Sequence, residues 1–272
     1  MGSRTSMVVA ATVAGLGLAG SGAYAQQADA EWLAQCRSQH GGQSRYCEVR
    51  PVSWPAGGPI RVDARPNGGV QVTGWDQATV AGSARIQVQA GSEAEARELA
   101  TRIVIDTAGG TLRADGPKGT DGRSWSVSFV LSAPRRSDLE INAVNGPVAI
   151  SGISGRIQAN TVNGPMSLQE LGGDVRSRTV NGPLTIVLHG NAWQGAGLDA
   201  ETQNGPVTIQ VPDGYSANLD LGTVNGPLRL GIPVTPELAP GSHPKSVNTA
   251  IGAGGPPIRA RTQNGPVAVE KR

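Results

Sequence analysis

Bulky aromatic side chains are scarce in this 272-residue sequence, which holds five Trp, three Tyr and one Phe. A core must therefore be built from Val, Ile, Leu and Ala, drawn from a hydrophobic share of 38%. A dominant sign of charge is missing too. The 21 acids interspersed with 23 bases leave +2, which gives no electrostatic case for nucleic acid or an anionic membrane. Beyond the N-terminus there is no apolar run of about 18 residues, so the mature chain has no expected membrane span. The three histidines, His40, His189 and His243, lie far apart. No H-E-x-x-H, G-x-S-x-G, P-loop or calcium-loop pattern occurs. What the chain has in quantity is 39 glycines and 19 prolines, which argues against large helical bundles.

The first 25 residues read as a secretory signal peptide. Arg4 is the only charge before the apolar run Met7 to Ala19, and Ala23-Tyr24-Ala25 is a small-x-small cleavage pattern. No Cys stands at the cleavage point, as a lipoprotein anchor would need. Gly15 to Gly20 spells G-x-G-x-x-G inside this segment, but without a preceding strand or a following βα unit it is a chance match. The mature chain is expected to run from Gln26 to Arg272. Its two cysteines, Cys36 and Cys47, read in an oxidising compartment as a disulfide. A metal or redox site is the alternative, but C-x-x-C spacing is absent and only His40 lies nearby.

A repeat dominates the remainder. Asn-Gly-Pro occurs at Asn145, Asn163, Asn181, Asn204, Asn225 and Asn264, with spacings of 18, 18, 23, 21 and 39 residues. Six residues before each Asn stands a branched aliphatic: Leu139, Ile157, Val175, Leu198, Leu219 and Ile258. Small or apolar residues stand four before it, and aliphatic ones (or Met166) three and five after it. Polar or small residues lie between. This period-two alternation on both sides of a turn predicts two short strands per repeat. Asn and Gly tolerate positive φ and so suit the turn, and Pro starts the second strand. An 18-residue unit cannot bury its own core, whereas stacked units can. The expected fold is mainly β: a parallel β-helix or β-solenoid of coils centred on Asn-Gly-Pro. A meander of hairpins with Asn-Gly at each tip is the competing arrangement.

The expected organisation is a signal peptide at 1–25 and a disulfide-pinned N-terminal extension at 26–56. A β-rich cap module follows at 57–137, then solenoid repeats at 138–272 with an insertion at 231–256. In the cap module Ile60–Asp63, Gly69–Val72, Ala84–Val88 and Trp125–Val130 alternate as strands. Ser92-Glu-Ala-Glu95 looks like a capping box, and Ala96, Leu99, Ala100 and Ile103 follow at helical spacing, predicting one short helix. Gly109-Gly110 reads as a turn between two further short strands.

These features carry a resemblance. The run GGPIRVDARPNGGVQVTGWD, the Ser-Glu-Ala-Glu helix, a Ser-Trp-Ser-Val strand ending near Pro134-Arg135-Arg136, and the serial TVNGP coils resemble the putative adhesin family, domain of unknown function 4097. The resemblance covers about residues 57 to 272. It implies an exported, mostly β, repeat-built envelope or surface protein, and brings no activity, ligand or catalytic residue with it. The segment bearing Cys36 and Cys47 lies outside it.

The candidates for chemistry are few. Ser242-His243-Pro244-Lys245 spells the S-x-x-K of penicillin-binding enzymes but sits in a Gly/Pro segment without the companion motifs. Asp199 and Asp220 share the outward position five before Asn, with Glu201 two residues after Asp199. Stacked in chain order, the two aspartates would lie near 5 Å apart, a separation that retaining glycoside hydrolases use. Arg176 and Arg178 occupy the matching positions one coil earlier, so the same residues also read as cross-coil ion pairs, Arg178 with Glu201 and Arg176 with Asp199. A sugar cleft lined by aromatics is hard to build here, although exposed Trp75 or Trp193 would suit glycan stacking. The sequence thus predicts an exported, non-enzymatic, adhesin-like protein with no cofactor and no metal. Its partner is expected to be a protein or polysaccharide of the envelope or cell surface. A carbohydrate-active enzyme and a structural or stress-related envelope protein are the alternatives.

Overall fold

The computed structural model describes residues 20–38, 44–107, 110–120, 122–233 and 244–272. Most of the predicted signal peptide, together with His40, Gly109, Ser242 and His243, lies outside the described residues. The described residues begin with helix α1 (Gly20–Ser38), which continues past the predicted cleavage point, and strand β1 (Ser44–Pro55). Next come β2 (Ile60–Asp63), β3 (Val70–Trp75), β4 (Thr79–Ala90), helix α2 (Glu93–Thr101), β5 (Val104–Asp106), β6 (Thr111–Asp115) and β7 (Ser124–Pro134). The repeats supply β8 (Leu139–Asn142), β9 (Val148–Ser151), β10 (Ser154–Asn163), β11 (Met166–Gln169), β12 (Gly172–Asn181) and β13 (Leu184–Val187). They continue with β14 (Gly197–Asn204), β15 (Val207–Val211), β16 (Ala217–Asn225), β17 (Leu228–Leu230), β18 (Ser246–Ile251), β19 (Pro257–Asn264) and β20 (Val267–Lys271).

The strands form two 10-stranded sheets, and neither closes into a barrel. One, here the turn-exit sheet, has the order β1-β4-β7-β3-β9-β11-β13-β15-β20-β17. The other, the turn-entry sheet, has the order β18-β16-β19-β14-β12-β10-β8-β2-β6-β5. The strands before and after each Asn-Gly-Pro turn lie in different sheets, which excludes the hairpin meander. Equivalent strands pair in parallel, as in Ile157 with Val175 and Met166 with Leu184. The apolar positions around each Asn point between the sheets, and all except Leu230 are buried. Burying such an aliphatic side chain contributes about 1.5–3 kcal/mol, so the ladders of Val, Ile, Leu and Ala supply the core that aromatics would otherwise fill.

The turns stack through three sets of contacts. Asn side chains donate in series, Asn163 to Asn145 at 2.9 Å, Asn181 to Asn163 at 2.8 Å and Asn204 to Asn181 at 2.8 Å. The hydroxyls of Thr161, Thr179 and Thr202 donate to the carbonyls of Gly146, Gly164 and Gly182. Backbone N–H groups of Gly146, Gly164 and Gly182 donate to the Asn carbonyls of the neighbouring turn, each at 3.0 Å. Glycine is needed for space here rather than for left-handed φ. Gly146, Gly164, Gly182, Gly205 and Gly226 have no positive φ, but a Cβ on each would come closer than 3.0 Å to a glycine carbonyl oxygen of the adjacent turn. The ladder also has a seventh member. Asn145 donates to Asn67 at 2.9 Å, so β2 and β3, in the segment read as a cap module, continue both parallel ladders.

The order of the repeats departs from chain order. The final pair, β19 and β20, is inserted between β14–β15 and β16–β17. The Asn ladder follows this path: Asn264 donates to Asn204 at 2.8 Å, and Asn225 donates to Asn264 at 2.9 Å. Outward charges fit it as well. Stacking in chain order would set Asp199 against Asp220, a destabilising like-charge pair. The inserted strand places Arg259 in register with both.

The other end of the stack is antiparallel, with β4 between β1 and β7. Helix α2 starts at Ser92, which accepts from the Glu95 N–H at 3.2 Å, as the capping residues predicted. Its last turn is satisfied by Arg50, which donates to the carbonyls of Ala100 and Ile103. Helix α1 lies on β1 and β4. Asp29 accepts from Ser83 at 3.0 Å and Arg85 at 2.8 Å, and Trp32 stacks under the Arg85 guanidinium, 5.7 Å from ring centroid. The disulfide Cys36–Cys47 ties the helix to β1. On the chain-entropy account, closing so short a loop contributes about 3 kcal/mol.

Two measurements check this architecture. Gly182→Ala is expected to lower unfolding stability by about 3 kcal/mol or more in urea, because backbone must move. Gly57→Ala, where a Cβ meets nothing within 4 Å, should stay within about 0.5 kcal/mol of the parent. Reversing Arg259 and Arg261 together to Glu should cost about 1–2 kcal/mol, and less in about 1 M salt. An unchanged urea midpoint for the double reversal would mean that charge has no part in the strand order.

Candidate functional site

Alternation along the parallel strands leaves each sheet with one outward face, and the two faces differ in charge. On the turn-exit sheet, β3, β9, β11, β13 and β15 present Gln71, Thr73, Ala149, Ser151, Ser167, Gln169, Thr185, Val187, Thr208 and Gln210. These rows carry no charge; Trp75 closes the β3 row, and the two strands beyond β15 add Glu270 on β20 and Arg229 on β17. On the turn-entry sheet the corresponding positions carry charges whose sign changes from strand to strand. Arg176 and Arg178 lie on β12, Asp199 and Glu201 on β14, Arg259 and Arg261 on β19, and Asp220 on β16.

The predicted pairing is found in part. Arg178 donates to Glu201 at 2.7 Å. Arg176 is in register with Asp199, but its recorded ion pair is with Asp174 on its own strand, at 3.5 Å. The proposed closeness of Asp199 and Asp220 is overturned. Arg259 stands between them, 3.4 Å from Asp220, and Arg261 donates to Asp220 at 2.7 Å. The hydrogen bond to Asp220, with the charges of Asp220, Asp199 and Glu201, pushes Arg261 above its already high pKa. A carboxylate pair needs free space between its members to attack and protonate a glycosidic bond. Here an arginine strand occupies that space.

The sequence reading gave no role to Arg259 or Arg261. The signal was present in their acidic counterparts at the same offsets from Asn. It required a neighbour other than the next repeat in the chain.

A groove of about 590 Å³ crosses this charged face beside the start of β18. Gly222 leaves the side-chain row vacant at that point, and Lys245 and Ser246 rise along one side. Arg178, Glu201 and Arg261 form the other wall, and Val224 is exposed at its margin. The three cations are engaged already: Arg178 with Glu201, Arg261 with Asp220, and Lys245 with the Gly226 carbonyl at 2.7 Å. The groove can donate hydrogen bonds to a polar chain, and the one carboxylate among the described residues that line it, Glu201, accepts from Arg178.

Other candidates fall elsewhere. His189 is exposed and faces Glu170 at 3.7 Å, remote from the groove. Trp193 is buried and donates to the Gly173 carbonyl, and Trp75 donates to the Thr79 carbonyl. Both rings serve packing and loop closure. Asp63 is held below the usual carboxylate range by its hydrogen bond from Arg65, which is a surface pair. Burial pushes the Tyr215 phenol up to about 12, so it stays neutral. Among the described residues, no group of three or more His, Cys, Asp and Glu is placed to hold a metal, and no helix is long and apolar enough to cross a membrane.

No protein-family model matches the chain, and no curated protein matches it. It is similar to solved structures of low identity. A putative cell adhesion protein from Clostridium sporogenes is 10% identical, with TM-score 0.40 over 84% of this chain and 100% of that one. A putative adhesin from Bacteroides fragilis is 10% identical, with TM-score 0.33 over 83% and 97%. A putative adhesin from Parabacteroides distasonis is 10% identical, with TM-score 0.30 over 83% and 97%.

Proposed function

We propose that the protein is an exported, non-enzymatic β-solenoid with an adhesin-like role. It presents its faces to a polysaccharide or protein of the cell envelope or the extracellular space. One observation carries the reading: the outward side chains stand in straight rows, one per strand, at the interstrand spacing of about 4.8 Å. A regular array suits a partner that also repeats, because many weak contacts then add along one rigid surface. The uncharged rows of β9 to β15 offer hydroxyl and amide groups to a neutral glycan, and the charged face offers fixed donors and acceptors to a polar chain.

The test mixes the purified protein with insoluble envelope polysaccharides and follows two quantities. Depletion of protein from solution without release of reducing ends is the expected outcome. Release of reducing ends that disappears in Asp199→Asn or Asp220→Asn would replace the adhesive reading with a hydrolytic one. No depletion from any polysaccharide would remove the glycan arm and leave protein partners.

A further inference from the structure

The insertion of the last repeat between two earlier ones leaves a record of assembly. Strands β14 and β15 form one wall of a slot, and β16 and β17 form the other. Until the last sixteen or so residues arrive, both walls expose unpaired backbone N–H and C=O groups in parallel register. The slot also opens into the core, because Ile258, Ala260, Val267 and Val269 fill it and are buried there. Unpaired edges of this kind are templates for a strand of another chain.

The segment that fills the slot is held to the rest of the chain by little. Residues Gly252 to Pro256 lead from β18, across the start of β16, to β19. Gly252, Gly254 and Gly255 adopt φ of 55°, 75° and 144°, the left-handed region that glycine tolerates. The hydrogen bonds in this link are three: Ala253 N–H to Ser216 Oγ at 3.1 Å, Gly254 N–H to the Ile251 carbonyl at 3.0 Å, and Asn218 N–H to the Pro256 carbonyl at 3.3 Å. Everything else that fixes β19 and β20 is made with the slot. That includes Arg261 with Asp220, Lys271 with Asp213, and the Arg272 N–H to the Val211 carbonyl. An identical segment from a second copy reproduces every one of those contacts.

We propose that Pro257–Arg272 is an exchangeable element, and that two copies of this chain join by placing it in each other's slots. The closed and exchanged forms share the same strand pairs, the same core and the same alternation of charge. They differ in the conformation of Gly252–Pro256 and in the entropy of association, so protein concentration sets the balance between them. The exchange sits at the end of the stack away from α1 and β1, so it leaves the outward rows intact and doubles their number in one particle. It does not depend on what those rows bind.

The test uses full-length chains with single added cysteines. Thr208 and Ala268 are partners on β15 and β20, outward-facing and uncharged. A Thr208→Cys chain and an Ala268→Cys chain of different tag length are unfolded together, refolded over a range of concentrations and then oxidised. The control pair is Ser167→Cys with Thr185→Cys, partners on β11 and β13 within the part of the stack that stays put. Exchange predicts a covalent mixed dimer from the first pair, several-fold above the control and growing with concentration. The Thr208→Cys/Ala268→Cys double variant must close within one chain at low concentration, which shows that the sulfurs can meet. Closure in the double variant, with no mixed dimer above the control at any concentration, would overturn the proposal.

Discussion

Everything in the repeat region depends on one close approach, that of each turn glycine to a glycine carbonyl of the turn beside it. No Cβ fits between them. The approach lets the Asn amides reach each other and the Thr hydroxyls reach the glycine carbonyls. It thereby fixes the register of both strands leaving the turn. Once that register is fixed, the residues three and five after Asn and those four and six before it meet their counterparts, and the core follows. The Asn amides all donate in the same direction along the stack, so each bond polarises the next. Any single turn is weak, and the row of them holds two sheets in alignment.

Much of this was legible in the sequence because the turn and its flanks recur. The inward positions, the helix beginning at Ser92 and the disulfide between Cys36 and Cys47 follow directly from local chemistry. The Asn67 turn was harder to see, since Gly69 stands where the other copies have Pro and the preceding strand is offset by one residue. The reason for the glycines was also misread, because an Asn-Gly pair suggests positive φ while the structure requires space. The strand order was not legible from the turns at all. Identical turns stack equally well in any order, so the backbone does not choose among them. The choice falls to side chains on the outer face and to the links between repeats. Arg259 and Arg261 make the last repeat basic, as Arg176 and Arg178 make an earlier one, and they fit between Asp199 with Glu201 and Asp220.

The same arrangement bears on chemistry. Two aspartates at the same offset in successive repeats resemble a hydrolytic pair only when the repeats are neighbours in space. The arginine strand between them turns a possible acid and nucleophile into a neutralised row, with the neighbouring cations committed to carboxylates. Each exposed pair contributes only about 0–1 kcal/mol, and together they alternate the sign of charge across the face. The opposite face differs: from β9 to β15 its rows are short hydroxyl, amide and aliphatic side chains without charge.

Rigidity and spacing also set how such a face can bind. A single row contact, a hydroxyl or amide on one sugar or side chain, is too weak to hold a partner alone. Rows fixed at the interstrand distance present many such contacts without an entropic cost for arranging each one. The gain persists only while the rows stay in register, so stability and binding share one requirement. A change at a half-buried turn glycine that shifts one coil would misalign every outward residue beyond it. Loss of binding from such a change, at a position outside the outward rows, is what distinguishes a ladder surface from a local site.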